Sequence, residues 1–157
     1  MKKIFFAVFS AICLVSILPV RAQEMKSTQW SAFGVSFKVP VDITVEDDSE
    51  EGYILSNEDY YVQVQILDGE AMDKDDMAEE IKQIAVDDQL QHQSAIAKFE
   101  LPQFHGVQLQ GTSEGEFYLY NYLMSKDESC GFFVTVIYNK KTDEIPLNII
   151  KSFQLEE

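Results

Sequence analysis

The stretch Gly131-Phe132-Phe133-Val134-Thr135-Val136-Ile137-Tyr138 decides the fold that the sequence predicts. A strand built from it would be apolar on both faces, which is typical of a central strand covered on both sides. Along residues 117–124, the side chains on both faces of the predicted strand are largely apolar. Residues 106–111 alternate apolar and polar side chains, with a turn-forming glycine at each end. Short turns separate these segments, and short turns force antiparallel pairing. The second half of the chain therefore predicts an antiparallel sheet.

Strand patterns also fill the first half of the chain. The clearest is residues 61–67, in which Val62, Val64 and Ile66 fall on one face of the strand. Further short alternating segments, bounded by Pro, Gly or acidic turns, are predicted at residues 35–39, 43–45, 53–55 and 96–99.

Two helices interrupt the strands. The long one is predicted over residues 74–89, with Asp73 as N-cap and an apolar stripe that faces a sheet. A short C-terminal helix is predicted over residues 143–153, with Pro146 in its first turn. The fold class is α+β: an antiparallel β-sheet of about six to eight strands, with a long mid-chain helix and a short C-terminal helix packed on it.

The N-terminus has the pattern of a secretory signal peptide. A short positive segment is followed by about fifteen largely apolar residues, 4–18, and a small residue, Ala22, follows at the cleavage position. We therefore predict a signal peptide over residues 1–22, a polar leader over 23–29 and a single domain over 30–157, with a periplasmic or secreted location. The alternative is an uncleaved anchor, although the apolar core is shorter than the ~20 residues that span a bilayer.

The chain is strongly acidic, with 12 Lys and Arg residues against 27 Asp and Glu residues. Three basic and no acidic residues lie in 1–22, so the remainder holds nine basic and 27 acidic side chains, a net charge of −18. Such a surface disfavours nucleic acid and anionic lipid, which are bound by cationic groups. It favours cationic partners or divalent metals.

A family resemblance rests on three segments: Gly-Val-Ser-Phe-Lys-Val-Pro at 34–40, the mid-chain helix, and Ile-Ile-Lys-Ser-Phe at 149–153. Together they resemble the PsbP-like superfamily, which includes the photosystem extrinsic P proteins and DcrB-like small envelope proteins. The resemblance spans about residues 33–155. It implies an antiparallel sheet between helices, in proteins that bind or scaffold and are mostly not enzymes. The superfamily has no shared catalytic set, so no functional residue is carried over.

Two acidic clusters are candidate metal sites, because carboxylate oxygens are ligands for hard cations. The first covers residues 46–51, and the second runs from Asp68 to Asp76, with Asp73, Asp75 and Asp76 as candidate ligands. The second cluster does not have the ligand spacing of an EF-hand loop. The alternative interpretation is a solvated hairpin tip and an acidic first helical turn.

Cys130 is a candidate nucleophile, and His105 is the candidate base that would activate it. Cys130 is the sole cysteine after residue 22, and no nucleophile elbow, phosphate loop or zinc-type spacing accompanies it. A small hydrolase that uses Cys130 or a pair of carboxylates therefore stays an alternative, and no cofactor is predicted.

Tyr118, Tyr120 and Tyr122 fall on one face of a single predicted strand. A row of tyrosines offers apolar area with a polar tip, which suits recognition of a partner or a sugar. The other interpretation is that the row packs beneath a helix, because aromatic residues are favoured on pleated surfaces.

The function that these patterns favour is a non-enzymatic binding or accessory protein, expected to be monomeric, whose partner is a protein or a small ligand. A small hydrolase and a divalent-cation-binding protein are the alternatives from other classes.

Overall fold

The computed structural model describes residues 23–67 and 71–156. These residues form strands and two helices in the following order: β1 (Met25–Trp30), β2 (Val35–Pro40), β3 (Thr44–Asp48), β4 (Tyr53–Ser56), β5 (Tyr60–Ile66), α1 (Lys74–Asp87), β6 (Ala97–Glu100), β7 (Phe104–Ser113), β8 (Glu116–Ser125), β9 (Gly131–Tyr138), α2 (Ile145–Lys151) and β10 (Gln154–Leu155).

The strands form two antiparallel sheets. Seven strands lie in the order β3-β4-β5-β9-β8-β7-β6, and three lie in the order β1-β2-β10. Strand β9, the segment that decides the fold, is the fourth of the seven and pairs with β5 and β8. The α+β prediction with its antiparallel sheet and two helices is thus confirmed.

The large sheet has a core on each face. On one face the small sheet and α2 cover it, and Phe37 of β2 stacks on Phe153 with ring centroids 4.4 Å apart. On the opposite face α1 contributes Met77 and Ile81, whose side chains are fully buried. The molecule therefore has three layers, with the large sheet in the middle.

The segment predicted as a polar leader, residues 23–29, instead supplies most of strand β1. Its residues are too polar to show a strand pattern, and the strand is held by distant partners. All six of its residues pair with β2, and the Trp30 indole Nε1–H donates to the Ser49 carbonyl at 2.7 Å. Such contacts are invisible in a local sequence pattern.

The first acidic cluster lies partly on β3, which forms one edge of the seven-stranded sheet. The residues of β3 are all exposed, and the register shifts between Val45 and Asp47 as in a β-bulge. Charged side chains and bulges on an edge strand hinder pairing with other chains. This placement accounts for residues 46–48 structurally, whereas the sequence pattern indicated a turn.

Both helices are shorter than predicted. Asp73 caps α1 as expected, since its Oδ1 accepts hydrogen bonds from the backbone N–H groups of Asp75 and Asp76 at 2.8 and 2.9 Å. Helix α2 ends at Lys151, after which the chain returns to the small sheet as β10. The predicted signal peptide, residues 1–22, lies outside the described residues.

Candidate functional site

Helix α1 covers part of the large sheet. It packs on β7 and β8, where its stripe of Met77, Ile81 and Ala85 meets Val107 and Leu109. We call this region, β7 and β8 beneath α1, the covered half. An α-helix with its side chains is about 10–12 Å wide, and neighbouring strands are about 4.8 Å apart. One helix can therefore cover only two or three of the seven strands.

The tyrosine row lies at the boundary of the covered half. Tyr120 and Tyr122 are 3% and 2% exposed beneath α1, while Tyr118 is partly buried at the end of the row. The Tyr120 hydroxyl donates to Asp88 Oδ2 at 2.6 Å. Of the three residues, Tyr118 is thus the one with substantial area to offer to a partner.

The buried tyrosines are held in their protonated form. Burial, and then the hydrogen bond to Asp88, raise the pKa of Tyr120 well above its ordinary value. Burial and the nearby Glu80 carboxylate raise the pKa of Tyr122 in the same direction. Desolvation and a neighbouring negative charge both disfavour a phenolate, so these hydroxyls act as donors and not as bases.

Within residues 23–67 and 71–156, no helix lies on the rest of the helix-side face. We call this region the open half: the helix-side residues of β4 and β5, together with Thr135 and Ile137 of β9. The strand register places them in two cross-strand rows, Tyr61 opposite Ile137 and Gln63 opposite Thr135. Ile54 of β4 extends the second row, since it lies opposite Gln63.

A groove of ≈ 500 Å³ runs between the open half and α1. It is lined by Tyr61, Gln63 and Ile137 of the open half, by Tyr118 of β8 and by Ile84 of α1. The lining thus mixes aromatic and aliphatic surface with amide groups that can donate and accept hydrogen bonds. This composition, an apolar surface with a few convergent polar groups, is that of a binding site.

The charge that lines the groove is negative. Among the described residues that line it, Asp88 carries a charge and none is Lys, Arg or His. Burial and then the charges of Glu116, Glu114 and Asp88 raise the pKa of Tyr118. Helix periodicity places Glu80 on the same flank of α1 as Ile84, toward the groove, and Lys82 on the opposite flank.

The hydrolase candidates do not come together. Cys130, a partly buried free thiol, packs against the core under the small sheet. His105 lies opposite Met124, which belongs to the core under α1. The two residues therefore lie on opposite faces of the sheet, and no nucleophile and base pair forms from them.

Two of the three metal candidates, Asp73 and Asp75, have other partners, while Asp76 is exposed in the first turn of α1. Asp73 accepts two backbone hydrogen bonds as the N-cap, which lower its pKa, and Asp75 forms an ion pair with Lys98. Within residues 23–67 and 71–156, no three His, Cys, Asp or Glu side chains are grouped as a metal site requires. Asp68 and Glu70 of the same cluster lie outside the described residues.

The sequence interpretation missed the open half. The signal was present in β5, where Gln63 and Gln65 alternate with buried Val62 and Val64. The same signal was obscured in β9, because its helix-side residues are largely apolar and therefore predicted a strand that is buried on both faces. Ile137 is instead partly exposed, because α1 does not reach that far across the sheet.

Within the described residues, neither helix is both long and apolar enough to cross a bilayer.

Solved structures with this fold include Mog1 proteins. The chain superimposes on the Saccharomyces cerevisiae Ran-binding protein Mog1p with a TM-score of 0.60, 6% identity and coverage of 85% of this chain and 96% of that one. For a point mutant of Mog1 the TM-score is 0.59 and the identity is 7%, and the superposition covers 85% of this chain and 97% of that one. For a Bacteroides thetaiotaomicron structure at 1.50 Å resolution the TM-score is 0.53 and the identity is 12%. That superposition covers 84% of this chain and 48% of the other. At these identities the likeness shows the fold. No curated protein matches the sequence.

These comparisons correct the resemblance to the PsbP-like superfamily, which is wrong. The segments that suggested it have structural roles in this fold: Pro40 ends β2, and the Ser152 hydroxyl donates to the Ile149 carbonyl at 2.6 Å where α2 ends. Features of this kind are shared by unrelated α+β domains and carry little family information.

The comparisons also contradict the predicted periplasmic or secreted location. A fold shared with a Ran-binding protein points away from an exported envelope protein.

The sequence itself carries a family match. Residues 3–142 match the family described as dihydro-orotase-like. Since this match spans most of the chain, the protein belongs to the dihydro-orotase-like family.

Proposed function

We propose that this protein binds a protein partner through the open half and is not itself an enzyme. The observation that carries the proposal is the groove of ≈ 500 Å³ beside α1, where no helix or strand of the described residues covers part of the sheet face. Exposed surfaces with aromatic and aliphatic groups rimmed by polar residues are typical of protein interaction sites.

The composition of the groove supports a protein partner. Tyr61, Tyr118 and Ile137 provide apolar area that is already ordered by the sheet, so little side-chain entropy is lost on binding. Gln63 and Gln65 provide amide donors and acceptors for a partner's backbone or side chains. Mog1p, which shares the fold, is described as a Ran-binding protein, so a protein partner is known for this architecture.

The charges favour a cationic partner. The chain has a formal net charge of −15, and the described lining of the groove adds Asp88 and no cation. Complementary potentials accelerate association and exclude partners of like charge. The partner surface is therefore expected to carry Lys or Arg residues around an apolar centre.

Catalysis is not proposed, although the family takes its name from dihydro-orotase. The residues that the sequence offers for nucleophilic chemistry, Cys130 and His105, belong to different faces of the sheet. A nucleophile and its base must lie within hydrogen-bond reach, and binding needs no such pair.

Site-specific photo-crosslinking tests the proposal. The photoreactive residue p-benzoylphenylalanine replaces Tyr61 in one variant, Gln63 in a second and Val41 in a control, and each is irradiated in the cells from which the sequence comes. Val41 is 46% exposed and follows β2 of the other sheet. We expect one protein adduct from the open-half positions and none from Val41. Absence of an adduct at both Tyr61 and Gln63, or equal adducts at Val41, would contradict the proposal.

Once the adduct identifies the partner, Ile137→Asp should weaken its affinity at least about tenfold, because it places a charge at the apolar centre of the interface. Val41→Asp adds the same charge elsewhere and should leave the affinity unchanged. Titration calorimetry measures both.

A further inference from the structure

One end of the groove differs from the rest in its charge. At this end Tyr118 lies with Asp88, the C-cap residue of α1. Glu116 is two residues before Tyr118 on β8, so its side chain projects from the same face of the sheet. We call Tyr118, Asp88 and Glu116 the acidic corner.

The corner is held by rigid elements. The turn between β7 and β8 consists of Glu114 and Gly115, both with positive φ, 50° and 87°, as a tight two-residue hairpin turn requires. On the other side, Leu90 packs against Gly111, which lies opposite Tyr118. The carboxylates are therefore attached to well-defined backbone and are not spread along a loop.

The end of α1 adds to the negative potential. The C-terminus of a helix carries about half a negative charge, which Lys or Arg in the last turn normally offsets. The last turn of α1 contains no basic residue and ends in Asp87 and Asp88. Asp88 Oδ2 accepts the Tyr120 hydroxyl, and a carboxylate has further acceptor positions on its other oxygen.

Three lysines of the described residues form ion pairs away from the acidic corner. Within the described residues, Lys98 pairs with Asp75, and Lys74 and Lys126 pair with Glu100. These ion pairs lie around the start of α1 and strand β6, at the opposite end of the helix from the acidic corner. The two ends of α1 thus differ: Asp75 at its start pairs with Lys98, whereas Asp88 at its end lines the groove.

We propose that the acidic corner binds an arginine side chain of the protein partner. This inference rests on the proposed function and names the chemistry by which the partner is held. The planar guanidinium stacks on the Tyr118 ring while its N–H groups donate to Glu116 and Asp88, a combination for which arginine is better suited than lysine. The aliphatic stem of the arginine lies over Ile137 toward the centre of the groove.

Three tripeptide probes test the corner without the natural partner: acetyl-Gly-Arg-Gly-amide, its lysine analogue, and its citrulline analogue, which keeps the shape of arginine but is neutral. Each is titrated into isotope-labelled protein and followed by NMR. We expect saturable shifts at residues 116–118 and 137 with arginine, at least about threefold weaker binding with lysine, and none with citrulline.

Matched charge variants separate a specific site from general attraction to an acidic protein. Glu116→Gln should weaken arginine binding about three- to tenfold. Glu50→Gln removes the same charge from an exposed turn at the end of β3 and should leave the affinity unchanged. Equal weakening by both variants, or shifts centred on residues 46–51, would overturn the inference.

The two proposals fail in different ways. An adduct from Tyr61 without arginine binding at the corner would overturn the arginine site and leave the binding function standing. Specific arginine binding at the corner without any adduct from Tyr61 or Gln63 would overturn the protein-binding function.

Discussion

The covered half and the open half lie on the same face of one sheet, yet they have different roles. In the covered half, Val107 and Leu109 of β7 are buried beneath α1. In the open half, the equivalent positions of β5 are Gln63 and Gln65, which keep contact with solvent. A seven-stranded sheet is about 29 Å wide at about 4.8 Å per strand, and a helix of about 10 Å leaves much of it uncovered. Where the described elements leave part of a sheet face uncovered, that part can contact a partner.

The sharpest test of this comparison replaces a tyrosine in each half. Tyr120→Ala should lower the free energy of unfolding by about 3–5 kcal/mol, because it removes a buried ring and leaves a cavity under α1. Tyr61→Ala in the open half should cost about 1 kcal/mol, the scale of one cross-strand pair with Ile137. Urea melts of both variants measure the difference. Similar losses would mean that the open half is part of the core.

A second test concerns glycine. A Cβ at Gly111 would lie 3.0 Å from the Leu90 side chain in the covered half, so Gly111→Ala should cost about 1–3 kcal/mol. A Cβ at Gly52, just before β4, would meet only the Val64 carbonyl at 3.7 Å. Gly52→Ala should therefore change the free energy of unfolding by less than about 1 kcal/mol. Thermal unfolding of the two glycine variants shows whether packing beside α1 is as tight as the structure indicates. If Gly111→Ala left the free energy of unfolding unchanged, the packing there would not be tight.

The third test concerns a pH dependence of the covered half. Burial raises the pKa of Tyr120 and of Tyr122 above the ordinary value of 10.0. Below pH 10 both hydroxyls are protonated in folded and unfolded chains, so their contribution to stability is complete. Above pH 10 the unfolded chain loses these protons first, and the free energy of unfolding falls by up to about 1.4 kcal/mol per pH unit for each tyrosine.

Tyr120→Phe combined with Tyr122→Phe should therefore flatten the decline in stability above pH 10, as measured by urea melts at several pH values. Phe133→Leu, which alters the same core without removing an ionisable group, should keep the wild-type slope. If the double variant also keeps that slope, the buried tyrosines are not the cause of the decline.

Much of the fold could be predicted from local patterns. The alternation in β5 and the apolar run of β9 identify strands, and Asp73 marks the start of α1, because period and capping depend on neighbouring residues alone. Strand β1 could not be predicted, since its polar residues are ordered by pairing with β2 and by the contact of Trp30 with Ser49. The candidate site was only half visible: the tyrosine row was recognised, but not Tyr61, Gln63 or Ile137.

The sequence by itself determined the fold class, the strong negative charge and the start of α1, since each follows from composition or from residues close together in the chain. Only the tertiary structure decided which tyrosines are buried and that Cys130 and His105 lie on opposite faces of the sheet. It also decided that the groove lies between α1 and β5. These features depend on strand order and on where a single helix rests on a wide sheet. Both are set by contacts between residues far apart in the chain, which no local pattern records.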